Sequence, residues 1–142
     1  MIIQTTKDSE LKEVASLFME VYAEPPYNEK WTEKNALAKI KMFYKTERIL
    51  VAIEDNKIVG LIIYQLIIWD TALKVFIDEV RVKKEYRNKG IATQLLKKVE
   101  EDAKKEGLVT IELISNMKSK AFNLYKKLGY RETDAILMEK KI

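Results

Sequence analysis

The sequence predicts an α+β fold, with a helix pair and antiparallel strands followed by strand, helix, strand, helix and strand. Three observations predict it. Apolar residues recur at helical spacing in Leu11–Tyr22, Ala36–Phe43 and Ile91–Val99. Two β-rich runs, Ile49–Glu54 and Lys57–Trp69, meet at Asp55-Asn56 and read as a hairpin. Gly107 and Gly129 stand where two later helical patterns stop, the usual place for a residue that adopts left-handed backbone.

Element by element, Met1–Thr6 forms a short strand. Asp8 or Ser9 then caps a helix whose apolar face is Leu11, Val14, Ala15, Phe18, Val21 and Tyr22. Pro25-Pro26 ends it, and a loop through Trp31 leads to Thr32, the cap of a second helix carrying Ala36, Leu37, Ile40 and Phe43. After the hairpin comes a third strand, Leu73 to Val82. A turn and a helix run from Arg87 to Gly107. Val109–Ile114 is strand-like, Ser119–Leu128 helical, and Tyr130 onward reads as a final strand. With no repeat, linker or low-complexity tract, residues 1–142 are expected to form one domain.

Composition narrows the chemistry. A chain of 142 residues with 47% hydrophobic content can build a core. Its longest apolar run, Ile58–Trp69, is broken by Gly60, Tyr64 and Gln65 and falls short of the roughly 20 residues a membrane helix needs. Without a basic-then-apolar leader, a cytoplasmic protein that does not engage membranes is expected. There is no cysteine and no histidine, which removes thiolate nucleophiles, Ser–His triads and the common imidazole or thiolate metal sites. No metal is expected. Proton transfer falls to Glu, Asp, Tyr, Lys or water.

Charge is unevenly placed. Residues 1–80 hold 10 basic and 13 acidic side chains, a net of −3, whereas residues 81–127 hold 13 and 6, a net of +7. The basic segment suits a polyanionic ligand and the acidic remainder a cationic one, although lysine-rich helix faces are commonly just solvated. Those lysines are not interleaved with stacking aromatics, so nucleic acid is not expected as a partner.

The basic segment centres on Arg87-Asn88-Lys89-Gly90-Ile91-Ala92, between the strand Val75–Val82 and the helix of Ile91, Leu95, Leu96 and Val99. The helix's first turn is expected to crowd against this turn. Unbonded N–H groups at a helix start and the positive end of its dipole suit phosphate oxygens, and Arg87 and Lys89 add full charges. Taken alone, Gly90 could be a plain helix-start glycine and Arg87 a surface charge. A second segment, Ala121-Phe122-Asn123-Leu124-Tyr125-Lys126-Lys127-Leu128-Gly129-Tyr130, follows about thirty residues later.

An R-x-x-G-x-A turn leaving a strand, followed by A-x-x-x-Y-x-K-L-G-Y, resembles the GCN5-related N-acetyltransferase (GNAT) superfamily over nearly the whole chain. The resemblance implies a three-layer fold around a mixed, mostly antiparallel sheet with two splayed strands. It implies acetyl-CoA as co-substrate, its pyrophosphate on Arg87, Asn88, Lys89, Gly90, Ile91, Ala92 and Thr93. It places a bulge and the pantetheine contacts at Val80, Arg81 and Val82, whose main chain also supports the oxyanion. By the same resemblance Tyr125 protonates the departing thiolate, although the residue also fits as a core aromatic. Many members carry an asparagine just before that helix. Here Lys118 falls near its place, with Asn116 two residues earlier, and either is a cofactor contact.

Glu79, just before the bulge, is the candidate general base. Strand alternation puts it on one face with Ile77 and Arg81, and an ion pair is the competing role. In the loop between the first two helices, Tyr27 and Trp31 could wall an acceptor pocket, with Glu24 and Glu29 attracting a cation. The same aromatics could simply pin the loop to the core. The expectation is acetyl transfer to a primary amine of a small cationic molecule. A protein N-terminal or lysine amine, or a non-catalytic CoA-binding regulatory module, is the alternative. The resemblance also implies a homodimer.

Overall fold

A computed structural model describes residues 1–142. Five strands form one sheet in sequence order: β1 (Ile2–Thr5), β2 (Arg48–Glu54), β3 (Lys57–Trp69), β4 (Ala72–Val82) and β5 (Ile111–Leu113). Every neighbouring pair is antiparallel except β4–β5, which is parallel. Helices α1 (Leu11–Ala23) and α2 (Glu33–Thr46) precede β2, α3 (Ile91–Lys105) links β4 to β5, and α4 (Lys120–Lys127) follows. The mixed, mostly antiparallel sheet is therefore observed.

The sheet is buried on both faces, and its alternation shows this. Ile49 and Val51 of β2, with Leu61 and Ile63 of β3, join Leu11, Val14, Phe18 and Ile40 in a core under α1 and α2. Leu50, Ala52, Ile62 and Tyr64 point the other way, into a second core with Leu95, Leu96 and Val99 of α3. Three layers result. The Asp55-Asn56 turn joins β2 and β3 with both residues at positive φ, 50° and 59°, as a tight hairpin requires. Thr32 caps α2, its Oγ1 accepting the Asn35 N–H at 3.1 Å. No helix is long and apolar enough to cross a membrane.

Four local expectations are corrected. Neither Asp8 nor Ser9 caps α1. Both lie in a 3-10 turn, Asp8–Glu10, and the Glu10 carboxylate reaches back to accept the Lys7 N–H at 2.9 Å. The bulge in β4 falls at Asp78, not at Val80–Val82: Ile63 faces Glu79 while Tyr64 faces Ile77, so Asp78 is the extra residue. That insertion turns Ile77 into the α3-side core while Glu79 and Arg81 face α1. Finally, residues 130–142 form no strand. The 109–114 run is reduced to the three residues of β5, too short an edge to order a further strand within the chain.

Pairing between β4 and β5 is equally brief, Val75 with Ile111, Phe76 with Glu112 and Ile77 with Leu113. Beyond Ile77 the two strands part. The resulting gap faces the start of α3, which packs tightly on the sheet at Gly60. A Cβ there would lie 3.2 Å from Ile91 Cγ2, 3.3 Å from the Arg81 carbonyl oxygen and 3.4 Å from Leu95 Cδ1. We expect Gly60→Val to destabilise the fold by about 1–3 kcal/mol through overpacking. Urea unfolding followed by circular dichroism measures it, and an unchanged midpoint would contradict this contact.

Candidate active site

At the mouth of the gap, the turn 87–90 bends through left-handed backbone at Asn88 (φ 61°) and Gly90 (φ 81°). A Cβ on Gly90 would meet nothing within 4 Å, so the glycine serves a backbone angle beside open space. The crowding expected here lies at Gly60 instead. The Gln94 N–H bonds to the Gly90 carbonyl, which leaves the N–H groups of Ile91, Ala92 and Thr93 ahead of the first intrahelical bond. No side chain caps this helix, and its first turn carries no acidic residue. By contrast α2 and α4 are capped by Thr32 and Ser119. The start of α3 thus presents the positive end of its dipole without a side-chain cap.

Arg87 and Glu24, expected at different parts of the site, meet each other. Arg87 Nη1 bonds Glu24 Oε2 at 2.7 Å, and its Nε donates to the Val82 carbonyl at 2.9 Å. The pair fastens the end of α1 to the turn. Lys89 is more open, its ammonium over the Tyr86 ring at 5.3 Å.

Along the gap, the Lys83 N–H bonds the Val59 carbonyl on the β3 side, so by alternation the peptide groups of Val80 and Val82 face away from β3. No strand meets them there. The Val80 carbonyl accepts Arg81 Nη1 at 2.8 Å, and the Val82 carbonyl is taken by Arg87. Their N–H groups face the gap.

On the α1 side of β4 a charged group lies largely buried. Glu79 accepts from the Tyr22 hydroxyl at 2.8 and 2.9 Å, and Arg81 Nη2 stands 3.0 Å from its Oε2. The same Nη2 donates to the Tyr22 oxygen at 2.6 Å. The guanidinium lies over the rings of Tyr22 and Tyr27, 4.8 and 5.6 Å from their centroids. Burial pushes the Glu79 carboxyl above its usual range, against the opposing pull of Arg81 and of the Tyr22 hydrogen bond. Burial likewise raises the Tyr22 phenol. Glu79 thus carries the ion pair that was its competing role, with Oε1 engaged only by Tyr22.

Tyr125 belongs to the same neighbourhood. Burial raises its phenol, Arg81 draws it down, and Tyr27 and Glu79 push it up again. Its ring packs edge-on to Tyr130 at 5.7 Å, and its hydroxyl makes no hydrogen bond within the chain. Asn116 turns its Oδ1 to the Lys118 N–H at 2.8 Å and its carbonyl to Ser119, forming the turn that starts α4. Lys118 is exposed.

In the loop between α1 and α2, Trp31 packs on Phe18 at 4.9 Å and gives its indole N–H to Glu29 at 2.8 Å. Both residues therefore brace the loop. Tyr27, 42% exposed, stays open beside Tyr22 and Arg81. A groove of about 470 Å³, lined by Lys12, Met19, Glu33 and Leu37 among others, lies outside α1 and α2, apart from this gap. Tyr22 is the site residue that sequence reasoning placed only in the core. Its signal was a phenol on an apolar helix face, which needs a polar partner when buried.

The profile of the acetyltransferase (GNAT) family matches residues 11–130. A thialysine N-epsilon-acetyltransferase from Sus scrofa is 36% identical over 63 residues, 44% of this chain and 37% of that protein. The match therefore spans under half of the relative's length. Among solved structures, a possible acetyltransferase from Clostridium difficile 630 superposes with a TM-score of 0.86 at 22% identity, covering 99% of this chain and 97% of that one. An aminoglycoside N-acetyltransferase in complex with CoA superposes with a TM-score of 0.79 at 17% identity, covering 99% and 93%. These structural likenesses show a common fold.

Beside Glu79, Asp78 accepts from Gln65 Nε2 at 2.9 Å, and Glu47 has a buried Oε2 without a hydrogen-bond donor. Burial, then the adjoining Asp78 carboxyl, pushes Glu47 up from 4.5 to about 8. The folded chain therefore keeps a proton that the unfolded chain releases between about pH 4.5 and 8, so stability falls as pH rises through that window. Glu47→Gln is expected to flatten this dependence and to stabilise the fold at pH 8. Urea midpoints across the window measure it, and parallel curves for the two proteins would contradict it.

Proposed function

The chain belongs to the acetyltransferase (GNAT) family, and on that premise we propose that it transfers the acetyl group of acetyl-CoA to a primary amine of a small cationic molecule. The observation that carries the reading is the uncapped start of α3 opening on the same gap as the unpaired edge of β4. The diphosphate is received by the N–H groups of Ile91, Ala92 and Thr93 around Gly90, with Asn88, Lys89 and the remaining donors of Arg87 at the rim. Val80, Arg81 and Val82 offer main chain to the pantetheine arm in the manner of an added strand. Asn116, through its free Nδ2, and Lys118 complete the far wall.

An ammonium has no lone pair, so it must lose a proton before it attacks. Glu79 is the acceptor of that proton, directly or through water, and its raised affinity for protons suits the task. The amine nitrogen then bonds to the thioester carbonyl carbon as the carbon–sulfur bond breaks. N–H groups at Val80 or Val82 stabilise the carbonyl oxygen, Tyr125 gives its phenolic proton to the departing thiolate, and the phenolate recovers a proton, directly or through water, from the nitrogen as it becomes an amide. Transfer is direct, because the chain holds no cysteine or histidine to carry an acyl group.

The acceptor reading is supported by relatives named for small amines, a thialysine and an aminoglycoside N-acetyltransferase. Tyr27, open beside Tyr22 and the Glu79–Arg81 pair, fits a cation at its exposed edge, while Glu24, Glu29 and Trp31 shape the loop around it. We expect release of free CoA with polyamines or aminosugars but not with peptides. Tyr125→Phe should lower kcat about 100-fold while leaving the KM for acetyl-CoA nearly unchanged. Peptide turnover would favour a protein acceptor. CoA binding without turnover, insensitive to Tyr125→Phe, would favour a regulatory module.

A further inference from the structure

Tyr22 carries a hydroxyl that packing does not require. One turn earlier on the same face of α1, Phe18 packs without a polar atom and is 1% exposed. The Tyr22 ring is fixed without its oxygen. Its centroid lies 4.7 Å from that of Phe18 and 4.9 Å from that of Tyr27, and its main-chain carbonyl accepts the Glu29 N–H at 2.8 Å. The hydroxyl instead crosses to β4. Its single hydrogen is shared between Glu79 Oε1 at 2.9 Å and Oε2 at 2.8 Å, while its oxygen accepts from Arg81 Nη2 at 2.6 Å. A guanidinium and a carboxylate left to themselves favour a two-pronged grip, with parallel bonds to both oxygens. Here they approach at one point, Nη2 to Oε2 at 3.0 Å, with the phenol oxygen beside both and Nη1 turned to the Val80 carbonyl. No guanidinium hydrogen bond reaches Oε1.

We propose that Tyr22 is a positioning residue for proton transfer: its hydroxyl holds Arg81 to one oxygen of Glu79 and keeps Oε1 available for the acceptor's proton. The inference rests on the reading of Glu79 as the base. In that step an N–H bond of the ammonium breaks, an O–H bond forms at Oε1, and the electron pair stays on nitrogen for attack. Tyr22 keeps its own proton. Without the hydroxyl, two influences on Glu79 oppose each other. Loss of the phenol's bond favours the protonated acid, whereas a two-pronged Arg81 favours the carboxylate. Arg81 acts on Glu79 more strongly than Tyr22, Asp78 of β4 or Lys39 of α2, so its fuller grip prevails. Glu47 at the end of α2 and Tyr125 of α4 also sense the Glu79 charge. A carboxylate gripped at both oxygens is a weaker base and presents no free lone pair to the amine.

Tyr22→Phe keeps the ring and removes only the oxygen. With acetyl-CoA and whichever polyamine or aminosugar turns over fastest, kcat is expected to fall about 30-fold, with KM for acetyl-CoA nearly unchanged. In the E79Q background the same change should cost nothing further, because it acts through the carboxylate. In the R81K background, where an ammonium replaces the fork, the loss should shrink. Independently of turnover, carbon-13 titration of the Glu79 carboxyl in the full chain, assigned by its absence from E79Q, should give a lower midpoint in Y22F than in the native chain. A midpoint that rises or stays, or a Tyr22→Phe loss that persists undiminished in E79Q, would overturn the proposal. So would an unimpaired Y22F beside an impaired E79Q. Full activity of E79Q, or no turnover with any of these amines, would instead remove the base assignment, and this role with it.

Discussion

Beyond Ile77, β4 has a neighbour on one side only, and most of the candidate site is arranged around that interruption. Main-chain groups removed from water cost free energy unless they are paired. The Val80 and Val82 carbonyls are met by guanidinium groups, Arg81 and Arg87, in place of a strand. Their N–H groups have no such substitute. The extra residue at Asp78 sharpens the divergence by adding local twist just where the parallel pairing stops. It also sets two successive acidic residues beside the α1 layer, where Glu79 reaches Tyr22 and Asp78 reaches Gln65.

The end of α1 serves both sides of this opening. Tyr22 reaches the buried Glu79–Arg81 pair, and Glu24 reaches Arg87 on the turn before α3. A carboxylate and a guanidinium withdrawn from water are tolerable only when each is fully partnered, and removing one strands the other. Tyr22 bridges them by donating to the carboxylate while accepting from the guanidinium. Its neighbour Tyr27 covers the guanidinium face. The candidate base and the placement of the loop therefore share the same few contacts, which link three elements distant in sequence.

The elements were legible because their causes are local. Thr32 caps α2, Asp55-Asn56 makes a hairpin, and Gly107 and Gly129 stop helices at positive φ. What escaped depends on partners far along the chain. The run Val75–Val82 alternates without any mark of an added residue, so the Asp78 bulge, and with it the face of Ile77, shows only against β3. Arg87 and Glu24 each suited a ligand until 63 residues of separation closed into a contact. Trp31 and Glu29 likewise answered each other. The run after Tyr130 has the composition of a strand, but a strand also needs an edge, and the sequence does not report that β5 spans three residues. The turn before α3 was legible in kind, since a glycine at a helix start and missing acidic residues are visible directly.

The turn's shape resides in the backbone angles of Asn88 and Gly90, and position 90 borders open space. A receptor made of peptide groups registers charge and curvature, and it carries no information about a base or a sugar. A side chain at position 90 would be strained by its positive φ, whereas a change at the rim, as of Lys89, leaves that backbone angle intact. On the proposed reading, selectivity among nucleotide-bearing molecules is exercised farther along the cleft, where the organic arm is measured for length and the reacting end for shape.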